Sequence, residues 1–173
     1  MKSFTIVCLN ETFFKKHAGQ SEILEKPNRP HLVLLISVGQ KTFAIPFRTN
    51  AHKPKTGGVA HCFFFETSGR RPTSTAGRIP ALDFSKAVVI EEEDVGQPTI
   101  IDKNEFKELK DNIHIVKQKF VAYLKFYIES VRAGENLDLP QIKYSTLQYF
   151  SSDLAALDLA KKSPVQVMHE GNG

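Results

Sequence analysis

Phe106, Leu109, Ile113, Val116, Phe120, Tyr123 and Tyr127 recur at intervals of three or four residues. That spacing puts them on one face of a long helix, predicted over about residues 104–132. Asp102 and Glu105 stand at capping-box spacing at its start, and Gly134 is a natural terminator at its end. So long an apolar stripe has to be covered. It follows a first half that reads as strands, so the fold class is α+β, with helices packed against a sheet. A second helix is predicted over about 145–161, opened by Ser145 with Gln148 in the capping-box position. It would bury Leu147, Phe150, Leu154 and Leu157, carry Lys161 and Lys162 at its C-terminus and stop before Pro164.

Strands are expected over residues 3–9, 31–38, 41–47, 59–65 and 87–90, with a short one over 97–101. Asn10 should cap a short helix through Lys16. Residues 32–36 are apolar on both faces and so belong to a central strand. Gly39-Gln40 makes a two-residue hairpin turn into the strand beginning at Lys41. Pro46 cannot donate to a ladder and is expected to end that strand or mark an edge. Residues 48–58 and 67–80 read as loops, and 91–94 as a solvated acidic run. This order suits a compact antiparallel β barrel or curled sheet with packed helices; an open α+β sheet suits it too. At 173 residues the chain is expected to form a single domain over 1–162, with a disordered tail over 163–173.

A composition of 41% hydrophobic and 24% charged residues excludes global disorder. Two cysteines, Cys8 and Cys62, cannot build a disulfide framework, which favours a reducing compartment. No apolar run is long enough to span a bilayer and no signal-peptide pattern opens the chain, so a cytoplasmic protein with no membrane partner is expected. The formal charge of +4 is uneven. Residues 1–86 carry 13 Lys/Arg against 5 Asp/Glu (+8), and residues 87–173 carry 10 against 14 (−4). A basic half suggests a polyanionic partner.

The chemistry concentrates in Arg48, Thr49, Asn50, His52, Lys53 and Lys55, with no carboxylate among residues 48–58. Cations that neutralise phosphate oxygens and an imidazole that moves protons near neutral pH suit a phosphodiester. The lack of neighbouring carboxylates argues against a magnesium nuclease. RNA carries its own nucleophile, so a base for the 2′-OH, an acid for the 5′-oxygen and surrounding cations suffice for cleavage. His52, His61 and Cys62 are conceivable zinc ligands, at a spacing that fits no common site. Arg70, Arg71 and Arg78 could contact phosphates. The plainer reading of residues 48–58 is a basic surface loop.

Glu22-Ile23-Leu24, Lys26, Arg29-Pro30, residues 42–50, His52-Lys53 and residues 82–90 resemble, in order and spacing, the TenpN family of toxins. These belong to type III toxin–antitoxin systems, whose wider group includes ToxN, AbiQ and CptN. The likeness spans roughly residues 10–130. It implies a metal-independent endoribonuclease with a MazF/Kid-like (SH3-like) barrel and no cofactor. It also implies inhibition by a small repeat RNA antitoxin, usually a pseudoknot that the toxin cuts from a longer precursor. Cellular and phage RNA would be the substrates, a higher-order toxin–RNA complex the resting state, and abortive infection the outcome. The resemblance places the active-site segment at Arg48, Thr49, Asn50, His52 and Lys53. Thr49 and His52 are assigned to proton transfer or 2′-OH orientation, and Arg48, Lys53 and Arg29 to charge stabilisation. Lys26, Arg29, Lys55, Arg70, Arg71 and Arg78 are the expected RNA contacts. Loss of His52 or Lys53 is expected to abolish toxicity. The alternative is a non-catalytic single-stranded RNA- or DNA-binding module; a protein-docking role for the long helix ranks behind both.

Overall fold

A computed structural model of the chain describes residues 4–23, 31–54, 58–69, 78–157 and 159. The hairpin forms where its turn residues require it. Gly39 adopts φ +58°, a left-handed conformation that glycine takes without steric cost, and Val38 pairs Lys41 across the turn. This joins β2 (Leu32–Val38) to β3 (Lys41–His52). On the other side of β2 lies β1 (Thr5–Leu9), with Thr5 opposite Leu35, so β2 is central as its apolar run demands. Helix α1 (Glu11–Lys16) begins at Asn10, whose side chain accepts from the Phe13 amide.

The sheet has seven antiparallel strands in the order β4-β5-β3-β2-β1-β7, with β6 pairing β3 off this path. Strand β4 is Cys62–Phe64, β5 is Arg78–Asp83, β6 is Val88–Ile90 and β7 is Val95–Pro98. The expected closed barrel is therefore not formed. Among the described residues β4 and β7 end the path without meeting, and the sheet is open. The long strand β3 changes partners along its length. Thr42 to Ala44 pair both β2 and β6, whereas Phe47 to His52 pair β5 alone. Pro46, expected to end the strand, instead marks this change of partner: the Val33–Pro46 pair is the last of the β2 ladder, and the β5 ladder begins at Phe47. Residues 48–52, expected in a loop, continue the strand.

Helix α2 (Lys103–Ala133) covers the sheet. The Asp102 side chain accepts from the Asn104 and Glu105 amides, and Gly134 ends the helix at φ +68°. Leu109, Val116, Phe120, Tyr123 and Leu124 are fully buried, and Phe120 meets Phe43 edge-on with ring centroids 5.2 Å apart. Phe106 departs from the expected stripe, being 46% exposed beside Phe4. The Tyr123 hydroxyl donates to the Gln141 carbonyl at 2.7 Å, tying α2 to the short helix α3 (Pro140–Lys143). The C-terminal helix also forms, with Ser145 as its cap, but it opens as a 3-10 segment (Thr146–Phe150) before one turn of α4 (Ser151–Ala155). Leu147, Phe150 and Leu154 are buried. The stretch 160–173, with the end of that helix and the expected tail, lies outside the described residues.

Two further expectations change. The acidic run is not wholly solvated: Asp94 is 2% exposed, and its carboxylate meets Lys16 at 2.9 Å and accepts from the Glu91 amide. The strand expected over 59–65 shortens to β4. Among the described residues, no helix is long and apolar enough to cross a membrane.

Candidate functional site

The site is built on the half of β3 that pairs β5. Arg48 pairs Ala81 of β5, and the next pair is Ala51 with Ile79, so β3 holds one residue more than β5 between them. Thr49 and Asn50 occupy this bulge. Pro80, which has no N–H to give a ladder, lies opposite. A bulge bends the strand and re-aims its side chains.

Arg48 is fixed from the neighbouring strand. Its Nη1 donates to Asp83 Oδ2 at 2.7 Å, and Asp83 is 2% exposed. The other Asp83 oxygen accepts from the Ser85 amide at 3.0 Å and the Ser85 hydroxyl at 2.6 Å. This Asp-to-Ser turn opens the 3-10 segment Phe84–Lys86. At its end, Lys86 Nζ donates to Glu22 and to the Tyr144 carbonyl.

Two clefts flank these residues. The larger, about 580 Å³, is lined by Arg48, Thr49, Asn50, Arg78 and Lys86 together with Glu22 and His31. The smaller, about 390 Å³, shares Arg48, Asn50, Arg78 and Lys86 and adds His52, His61, Ser85 and Tyr144. Strand β4 runs parallel to β3 on the far side of β5. Just before it, the His61 carbonyl accepts from the Phe84 amide at 2.8 Å, and His61 lines the smaller cleft.

The structure thus gathers Arg48, Asn50, His52 and Arg78 around the smaller cleft and gives Thr49 to the larger. Thr49 and His52, assigned together to proton transfer, do not line the same cleft. Lys53 lines neither; its Nζ lies 3.0 Å from Glu66 Oε1 at the surface. Lys26, Arg29, Lys55, Arg70 and Arg71 lie outside the described residues.

The carboxylate-free inventory holds only along the sequence. Folding brings Asp83 to Arg48 across 35 residues and Glu22 to Lys86 across 64. Each carboxylate engages a cation, so part of the positive charge is balanced within the protein. His52, His61 and Cys62 do line one cleft, but among the described residues no three His, Cys, Asp or Glu side chains are grouped to hold a metal ion. Cys62 is buried, and desolvation, then the charge of Asp83, pushes its thiol pKa well above the ordinary value. At neutral pH it is a protonated core side chain and no nucleophile.

Sequence reasoning did not single out Glu22, His31, Asp83, Ser85, Lys86 and Tyr144 as lining residues of these clefts, and it weighed His61 only as a conceivable zinc ligand. Asp83, Ser85 and Lys86 had a signal: an Asp two residues before a Ser favours a side-chain turn that fixes the following lysine. Tyr144 had none, because only tertiary packing of α3 brings it to the cleft. No known protein family matches the chain, and no curated protein or solved structure matches it either.

Proposed function

We propose that the protein is a metal-independent endoribonuclease toxin of a type III toxin–antitoxin system, as its resemblance to the TenpN family implies. The observation that carries the reading is a cleft lined by Arg48, Arg78 and Lys86 together with His52. The His52 imidazole takes the 2′-OH proton as the 2′-oxygen bonds to phosphorus. Water in the open cleft gives a proton to the 5′-oxygen as the P–O5′ bond breaks, leaving a 2′,3′-cyclic phosphate and a 5′-OH. The cations stabilise the charge that builds on the phosphorane, and Asp83 keeps the Arg48 guanidinium aimed without reorganisation. Thr49 and Asn50 sit on the bulge between the clefts, placed to orient the ribose or the neighbouring phosphate.

In this reading the open antiparallel sheet is this chain's version of the MazF/Kid-like barrel. The enzyme works in the cytoplasm on cellular and phage RNA, contributes to phage defence, and is restrained in a toxin–RNA complex by the small repeat RNA it processes. The +8 charge of residues 1–86 supports a polyanionic partner on that half.

The test is incubation of purified protein with cellular RNA in EDTA, beside the His52→Ala variant, followed by end-group analysis. Cyclic-phosphate and 5′-OH ends from the wild type alone are expected. RNA that is bound in a salt-sensitive manner and stays intact, after any co-purified RNA has been removed under denaturing conditions, identifies a binding module and overturns the nuclease.

A further inference from the structure

Tyr144 is the one Phe, Tyr or Trp side chain lining the smaller cleft among the described residues, where it joins the imidazoles of His52 and His61, and it is 48% exposed. A tyrosine left half in water beside three cations needs a reason, since Tyr123 and Tyr127 of the same protein are buried. Its backbone is fixed. The Tyr144 amide donates to the Pro140 carbonyl at 3.0 Å, and its carbonyl accepts from Lys86 Nζ at 2.7 Å. Beneath it α3 is anchored by buried Ile142 and by the Tyr123 hydroxyl on the Gln141 carbonyl. The backbone that carries the ring is therefore held beside Lys86. Lys143 Nζ sits over one face of the ring, 5.5 Å from its centroid, so a base that stacks on that face takes the place of the ammonium.

We propose that Tyr144 is a base-stacking platform, binding one unpaired nucleobase of single-stranded RNA beside the phosphate held by Lys86 and Arg48. The inference rests on the RNA-cleavage reading and adds a subsite to it. Bases in a duplex are stacked on one another and offer no face to such a ring, so the platform selects single strands. The backbone carbonyl makes the Lys86 contact, so replacing the side chain leaves that cation in place.

The test compares wild type, Tyr144→Ala and Tyr144→Phe on a mixed-sequence single-stranded RNA carrying one 2-aminopurine, with Kd, KM, kcat and base fluorescence measured. Stacking on an aromatic ring accounts for roughly 10–100-fold in affinity per base. The expected result is a rise of that size in Kd and KM for Tyr144→Ala, little change in kcat, lost fluorescence quenching, and wild-type behaviour in Tyr144→Phe. If Tyr144→Ala binds and cuts like wild type, or if Tyr144→Phe fails with it, the platform is overturned. Should the alanine variant not fold, Tyr144→Leu, which keeps bulk without a π face, decides by the same readouts. A wild type that binds but does not cut refutes the nuclease alone, and the Kd and fluorescence arms still judge the platform. A wild type that neither binds nor cuts refutes both.

Discussion

The two halves of β3 share a backbone and little else. From Thr42 to Ala44 the strand is hydrogen-bonded on both sides, and Phe43, Ala44 and Ile45 are fully buried. From Phe47 to His52 it pairs β5 alone, bulges at Thr49 and Asn50, and turns Arg48 and His52 to solvent. The first half anchors the strand, and the second uses that anchorage to hold polar groups at the edge of the core. One strand can supply both because Pro46 stands where the partners change, and Pro80 stands opposite the bulge. Each proline falls where a ladder bond is already absent or ending.

The comparison can be broken at either end. Phe43→Ala should cost about 3–5 kcal/mol of stability in urea unfolding, because it empties a packed site against Phe120, while the folded fraction keeps its cleavage rate. An equal loss of activity per folded molecule would show that the halves are coupled. Arg48→Ala should lower cleavage about 10²–10³-fold by removing a charge-stabilising donor. It also leaves Asp83 buried without its cation, at about 1–3 kcal/mol after discounting for an Arg48 side chain that is 49% exposed. A stable, fully active Arg48→Ala would remove Arg48 from the site.

Outside β3, Cys62 of β4 beside the cleft and Tyr123 of α2 in the core are buried weak acids, both with pKa pushed up chiefly by desolvation. The ordinary values are 9.0 and 10.0, so at neutral pH both groups are protonated in the folded and the unfolded chain and their titration does not affect stability. Above these values the unfolded chain loses protons that the folded chain retains, so stability should fall by up to about 1.4 kcal/mol per pH unit per group. Thermal unfolding from pH 8 to 11 measures the slope, and Cys62→Ala should make it shallower; an unchanged slope would show that Cys62 is not held protonated. The smallest effect is expected from Lys53→Ala, whose exposed pair with Glu66 lies off both clefts. Stability should change by less than about 0.5 kcal/mol and cleavage by less than about tenfold, against the sequence-based expectation of abolished activity.

What could be read in advance was local. The caps at Asn10, Asp102, Ser145 and Gly134, the two-residue turn at Gly39 and the stripe of α2 depend on neighbours within a few residues, and all formed. Strand β5 was hidden because Arg78, Ile79 and Pro80 carry a loop's composition; they become a strand by pairing with the bulged half of β3. Closure of the sheet was misjudged because it depends on where β4 and β7 finish relative to one another, which no periodicity encodes. The polar cluster was found, and its geometry was not. Asp83, Lys86 and Tyr144 reach it through tertiary packing, and that packing separates Thr49 from His52 and leaves Lys53 outside.

The Lys86–Tyr144 contact joins residues 58 apart, while the β2–β3 hairpin closes over two. On the ribosome the hairpin can therefore form long before the cleft has its far wall. At typical elongation rates the interval between synthesis of Lys86 and of Tyr144 is roughly 3–12 s. Throughout it the nascent chain carries Arg48, His52 and His61 without the α3 lip. The order of synthesis thus leaves the cleft of the growing polypeptide without one wall until most of its length has been made.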